Sequence, residues 1–160
     1  MKRGSKYSPE ILLQMLRKAA EFRNEMVALG FTDNAGAIHS VERILDLLAY
    51  RLKYPGLTHV SKIRKYDGAE FSDAAWEAYK NGETVLVEHV APQRAFAKMV
   101  LDKIADGKSD RYLMQFIKRK YQLALLTKSE AATLNRRNRS KIEADRLTRA
   151  GLVVSPRTQH

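Results

Sequence analysis

The fold class of this chain is decided by residues 121–130, which read YQLALLTKSE. The apolar run 121–126 suits either a strand or the continuation of a helix, and its periodicity alone does not separate the two. A capping box follows at once, in which Thr127 caps the third amide of a new helix and Glu130 reaches back to the cap. Because a helix starts there, we predict that residues 121–126 form a short strand.

A second short apolar run, residues 84–90, predicts the partner of this strand. It contains Val85-Leu86-Val87, and Pro92 after it is a residue typical of a helix start. Both runs are short and apolar, and each leads into a helix with its own start signal. We therefore expect 84–90 and 121–126 to form a minimal two-stranded antiparallel sheet.

The first third of the chain predicts an antiparallel helical hairpin over residues 8–53. Ser8 and Pro9 are an N-cap and a first-turn proline, and apolar residues then recur at three- and four-residue steps. A second amphipathic pattern begins at about residue 34 or 37 and ends near Leu52, before Tyr54-Pro55-Gly56. The predicted fold class is mainly α (α+β), with this hairpin packed on a helical half that holds the small sheet.

The length of 160 residues suits one domain with a buried core. Within it, residues 57–153 are expected to form the α+β half, with short helices around Trp76 and after Pro92 and Ser109. The tails, 1–7 and 154–160, are expected to fray.

Charge is the clearest functional signal in the composition. The formal net charge is +11, and residues 81–160 contribute +8 of it (16 Lys and Arg against 8 Asp and Glu). Such an excess favours a polyanionic partner, DNA or RNA, through release of counterions from phosphates. The absence of cysteine excludes disulfides and thiolate zinc sites. The apolar residues are periodic rather than continuous, so we expect no signal peptide, no membrane span and a cytoplasmic location.

The two predicted strands end beside residues that carry chemistry. Glu88-His89-Val90-Ala91-Pro92-Gln93 follows the first strand, and Leu126-Thr127-Lys128-Ser129-Glu130, with Asn135 behind it, follows the second. This order resembles the core of HNH (ββα-metal) endonucleases over about residues 84–140, and is most similar to the HNH domain of RNA-guided CRISPR nucleases.

The resemblance implies His89 as a general base that activates water, with Glu88 and either Asn135 or Asn138 as ligands of a Mg²⁺ ion. These residue types suit phosphodiester hydrolysis. Histidine ionises near neutral pH, and carboxylate and amide oxygens are the ligands that Mg²⁺ prefers.

Basic residues cluster between positions 118 and 149, where ten Lys and Arg stand against three acids. Basic side chains bind phosphates without distinguishing one base sequence from another. The candidate nucleic-acid-binding residues are Lys118, Arg119, Lys120, Arg136, Arg137, Arg139 and Lys141.

Other interpretations of the same residues stay open. Glu88-His89 suits a hydrogen-bonded polar strand end, and the arginines suit a solvated helix face. The chain could then be a non-catalytic DNA- or RNA-binding protein that holds no metal. It could equally be a regulatory module with a protein partner, for which a large exposed apolar patch on the N-terminal hairpin would be the sign. A helix-turn-helix within 127–151 is a further alternative.

Overall fold

The structure of the chain is a computed structural model, which describes residues 7–136 and 145–159. Contacts divide the chain into two compact units, and the single domain stays a prediction. The first unit comprises residues 1–56 and 96–120, and the second comprises residues 57–95 and 121–160. The helices and strands, in chain order, are α1 (Pro9–Ala28), α2 (His39–Lys53), β1 (Glu70–Ser72), α3 (Asp73–Lys80), β2 (Leu86–His89), α4 (Gln93–Ala105), α5 (Asp110–Lys120), β3 (Leu123–Leu126), α6 (Lys128–Asn135), α7 (Arg146–Arg149) and β4 (Val154–Pro156).

The predicted fold class, mainly α with a small sheet, is confirmed. The sequence also predicts where most helices start. The Ser8 side chain accepts a hydrogen bond from the Ile11 amide at the start of α1, and Thr127 and Glu130 form the expected capping box of α6. The second predicted box, residues 140–143, lies outside the described residues. Among the described helices, none combines the length and apolarity that crossing a membrane requires.

The first unit consists of α1, α2, α5 and all but the first three residues of α4. Its helices bury apolar stripes such as Leu13 and Leu16 of α1 and Leu45 and Leu48 of α2. The Arg17 guanidinium also donates to the Asp110 carboxylate at 2.7 Å and to the Lys108 carbonyl at 2.9 Å. Residues 96–120 belong to the same unit as the hairpin because α5 contacts α1 and α2. Helix α5 is far from both of these helices in sequence.

The second unit is built on a mixed sheet with the strand order β2-β3-β1-β4. The predicted antiparallel pair is confirmed, since β2 pairs with β3 in a register that places Leu86 opposite Leu126 and His89 opposite Leu123. All four residues of β3 are buried, as expected for a central strand. Ala124 and Leu126 of β3 pack with Ala131 and Leu134 of α6, so this helix covers one face of the sheet.

The predicted size of the sheet, two strands, is wrong because two further strands join it. Strand β1 pairs in parallel with β3, and β4 pairs antiparallel with β1. Both are only three residues long, too short to give a clear alternation of apolar and polar residues.

Residues 154–160 are predicted to fray, but hydrogen bonds hold the part of this tail that the structure describes, residues 154–159. The Arg157 amide donates to the Ala69 carbonyl at 3.0 Å, and the Gln159 amide donates to the Asp67 carboxylate at 3.0 Å. These long-range hydrogen bonds hold the segment along the edge of β1.

Candidate functional site

The candidate site lies in the second unit, where strand β2 ends. Antiparallel pairing places Glu88 opposite Ala124 and His89 opposite Leu123, so the two side chains leave the strand on opposite faces. Glu88 shares the face that α6 covers. Both residues are half-buried, and His89 is the last residue of the strand. Residues from both faces can therefore border a space at the end of the strand.

Such a space exists as an open cavity of about 290 Å³. The predicted base, His89, and the predicted ligand Glu88 line it from β2. The second predicted ligand, Asn135, lines it from the last turn of α6. The other lining residues are Pro92, Gln93, Arg94 and Arg146. The alternative ligand, Asn138, lies outside the described residues.

Arg146 connects the two elements that carry these residues. Its side chain is buried, with the residue 3% exposed. One guanidinium nitrogen, Nη1, donates to the Val90 carbonyl at 2.9 Å and to the His89 carbonyl at 3.4 Å, and Nη2 donates to the Leu134 carbonyl at 3.2 Å. The end of β2 and the end of α6 are thus joined through one charged side chain.

Sequence reasoning missed this role of Arg146. As one of the basic residues of 118–149, Arg146 is expected on a solvated surface. Its neighbours in sequence do not distinguish it from Arg149 on the same short helix. Only burial separates them, since Arg149 is exposed and Arg146 is not.

Tyr121 is a second residue whose role the sequence did not reveal. Its hydroxyl lies 3.1 Å from His89 Nε2, and the two rings meet edge to face with centroids 5.7 Å apart. The antiparallel register predicts this contact, because Tyr121 lies two residues before Leu123, the partner of His89. Residues placed in this way are diagonal neighbours on one face of a sheet.

The predicted basic surface is divided between the two units. Lys118, Arg119 and Lys120 are exposed in the last turn of α5, in the first unit. Arg136 is exposed directly after α6, in the second unit. The remaining predicted binding residues, Arg137, Arg139 and Lys141, lie outside the described residues. Arg94, which the sequence did not single out, adds positive charge at the cavity itself.

The residues around the cavity fit a hard divalent cation, though with few protein ligands. Glu88 offers a carboxylate and Asn135 an amide oxygen. Within residues 7–136 and 145–159, no cluster of three or more His, Asp or Glu side chains converges to hold a metal. Mg²⁺ commonly takes one or two protein oxygens and keeps water or substrate phosphate in its other positions. Arg94 and Arg146 would lower the affinity of the empty protein for a cation.

We compared the chain with models of protein families, with curated proteins and with solved structures, and none of the three comparisons returned a match.

Proposed function

We propose that this chain is a cytoplasmic, basic nucleic-acid-binding protein that cuts phosphodiester bonds, in the manner of the HNH endonucleases that its residues 84–140 resemble. Support comes from the cavity at the end of β2, which brings together Glu88, His89 and Asn135 from positions up to 47 residues apart in the chain.

In the proposed reaction, His89 accepts a proton from the water that attacks the phosphorus. Glu88 and Asn135 would hold a Mg²⁺ ion, which when bound supplies positive charge to the phosphate and the leaving oxygen. Arg94, which lines the same cavity, would pair with a neighbouring phosphate.

Binding of the polymer rests on different residues. The exposed Arg136 follows α6 directly, three further cations follow it in sequence (Arg137, Arg139 and Lys141), and Lys118–Lys120 supply a second group. Contacts of this type are made to phosphates, so they do not distinguish base sequences. We propose that both DNA and RNA are bound by this charge.

The proposal is tested with His89→Ala, assayed for cutting of plasmid DNA, single-stranded DNA and RNA in Mg²⁺ and in Mn²⁺. A general base contributes about 10²–10⁴-fold to such a rate, so cutting should fall by at least about a hundredfold. Affinity for the same nucleic acids in low salt should stay within about twofold, because the cations that bind are unchanged.

His39→Ala is the matched control. This imidazole is exposed, lies in the first unit and is 3.6 Å from Glu42 on the surface of α2. Its removal should change neither cutting nor binding. Failure of the unaltered protein to cut any of the substrates with either cation would contradict the enzymatic proposal and leave binding alone.

A protein-interaction module is the second candidate, and one observation in the first unit favours it. Ile11, Met15 and Phe22 of α1 are 48%, 38% and 56% exposed and line an apolar groove with Ile44 and Leu47 of α2. A groove between two helices suits the apolar face of an amphipathic helix, and Lys18 at its wall would favour an acidic one. If the chain acts only in this way, no divalent cation supports cutting and His89→Ala has no effect.

A further inference from the structure

The contact between Tyr121 and His89 lies on the buried side of the imidazole. Tyr121 is only 2% exposed, and it precedes the central strand β3 directly. The ladder between the two strands continues past His89, since the Val90 amide donates to the Gln122 carbonyl at 3.0 Å. Backbone hydrogen bonds therefore join the two strands up to the residues next to His89 and Tyr121.

We propose that Tyr121 is a positioning residue for the reaction described above: its hydroxyl accepts a hydrogen bond from His89 Nε2–H and so makes Nδ1 the nitrogen that takes the proton from water. This inference rests on the proposed function for its catalytic meaning. Its structural content, the hydrogen bond between the Tyr121 hydroxyl and His89 Nε2, stands without it, whereas the direction of that bond follows from the need for a base.

The reason lies in the chemistry of neutral imidazole, which carries one proton and one lone pair on its two nitrogens. The 3.1 Å distance commits Nε2 to the tyrosine hydroxyl. If Nε2 carries the proton, the lone pair is on Nδ1, and a base needs that lone pair. If the hydroxyl donated to Nε2 instead, Nδ1 would carry the proton and the only ring lone pair would already accept the hydroxyl proton, so neither nitrogen could take a proton from water.

The contact with Tyr121 also fixes the orientation of the His89 ring. A proton acceptor must lie within hydrogen-bond reach of the water that it activates, and a ring free to turn about its side-chain bonds spends little time there. The Tyr121 side chain thus makes two contacts with the His89 ring, one through its hydroxyl and one through the edge-to-face packing of its ring. Only the first of these is lost when the hydroxyl alone is removed.

Tyr121→Phe is therefore the test, because phenylalanine keeps the ring, the burial and the edge contact. Tyr112→Phe is the matched control, since it removes one tyrosine hydroxyl from α5 in the first unit. Near-ultraviolet circular dichroism of both variants should match that of the unaltered protein. The tautomer is read from the ¹⁵N chemical shifts of the imidazole nitrogens, and the His89 signals are assigned by their loss in His89→Ala.

We expect His89 to carry its proton on Nε2 in the unaltered protein and in Tyr112→Phe, and to lose this preference in Tyr121→Phe. We also expect kcat for cutting to fall by about tenfold in Tyr121→Phe, the size of loss seen when a hydrogen-bond partner of a metal-bound histidine is removed, with KM within about twofold.

Three results would overturn the inference. One is an unaltered protein in which Nδ1 carries the proton, and another is a tautomer ratio that Tyr121→Phe leaves unchanged. The third is an unchanged kcat in Tyr121→Phe although the tautomer has shifted. A protein that cuts nothing, but shows the expected tautomer shift, would contradict the proposed nuclease activity and keep the contact as a device that orients His89.

Discussion

Arg146→Met should destabilise the second unit severely, because it removes the side chain that joins β2 to α6. Two of its hydrogen bonds have good lengths, 2.9 Å to the Val90 carbonyl and 3.2 Å to the Leu134 carbonyl, and the third, to His89, is long at 3.4 Å. A hydrogen bond from a charged donor contributes about 1.5–3 kcal/mol, so the two good bonds together contribute about 3–6 kcal/mol.

Part of this loss is offset, because methionine is buried without the desolvation cost of a guanidinium. We therefore expect the free energy of unfolding to fall by about 3 kcal/mol, which for a unit of this size lowers Tm by about 12–24 °C. Trp76 is the only tryptophan and lies in the second unit, 5.0 Å from the Phe71 ring, so its fluorescence follows the unfolding of this unit.

Arg149→Met provides the control, since Arg149 is an exposed arginine of the same short helix and should change stability by about 0.5 kcal/mol or less. Arg146→Lys should give an intermediate loss, because a single ammonium group does not reproduce the geometry of two guanidinium nitrogens. If Arg146→Met costs less than about 1 kcal/mol, or no more than Arg149→Met, the connection between the two elements is not what stabilises them.

Further predictions concern binding, the metal and a helix cap. Changing Arg136, Arg137 and Arg139 together to Ala should weaken binding to all nucleic-acid sequences alike and reduce the slope of log K against log salt by up to about 2.7. Mobility shifts across a salt series measure both effects, and a loss of affinity confined to one sequence would contradict this prediction. Glu88→Gln should weaken Mn²⁺ binding about tenfold by calorimetry, and an unchanged affinity would remove Glu88 from the metal site. Thr127→Ala removes the cap of α6 and should cost about 1 kcal/mol in urea unfolding, while no loss would show that the capping box contributes nothing there.

Local signals in the sequence were enough to predict most helices and the central strand pair. The helix caps at Ser8 and Thr127 are made by residues within four positions of each other, so the sequence alone predicts them. Because a helix begins directly after Thr127, the apolar run before it is predicted to be a strand. The pairing of β2 with β3 then follows from their length and composition. These predictions succeed because the deciding interactions are close in sequence.

What the sequence could not predict depends on contacts between distant residues. The hydrogen bonds of Arg146 cross 12 to 57 residues of chain, and its burial follows from them rather than from its neighbours in sequence. Strands β1 and β4 are recognisable only once they pair with each other, since three residues of either give no pattern. Of the site, the sequence predicted three residues that line one cavity, but neither Tyr121 nor Arg146.

The edge position of β4 has a consequence for work with shortened or tagged versions of this chain. Strand β4 occupies the hydrogen-bonding edge of β1, whose other edge is already taken by β3. Cutting the chain after Val153 would leave the backbone of Glu70–Ser72 exposed as a free strand edge, the kind of surface on which chains join by adding strands to one another. Such a version should self-associate in size-exclusion chromatography, and a peptide covering residues 154–159 added in excess should reverse it.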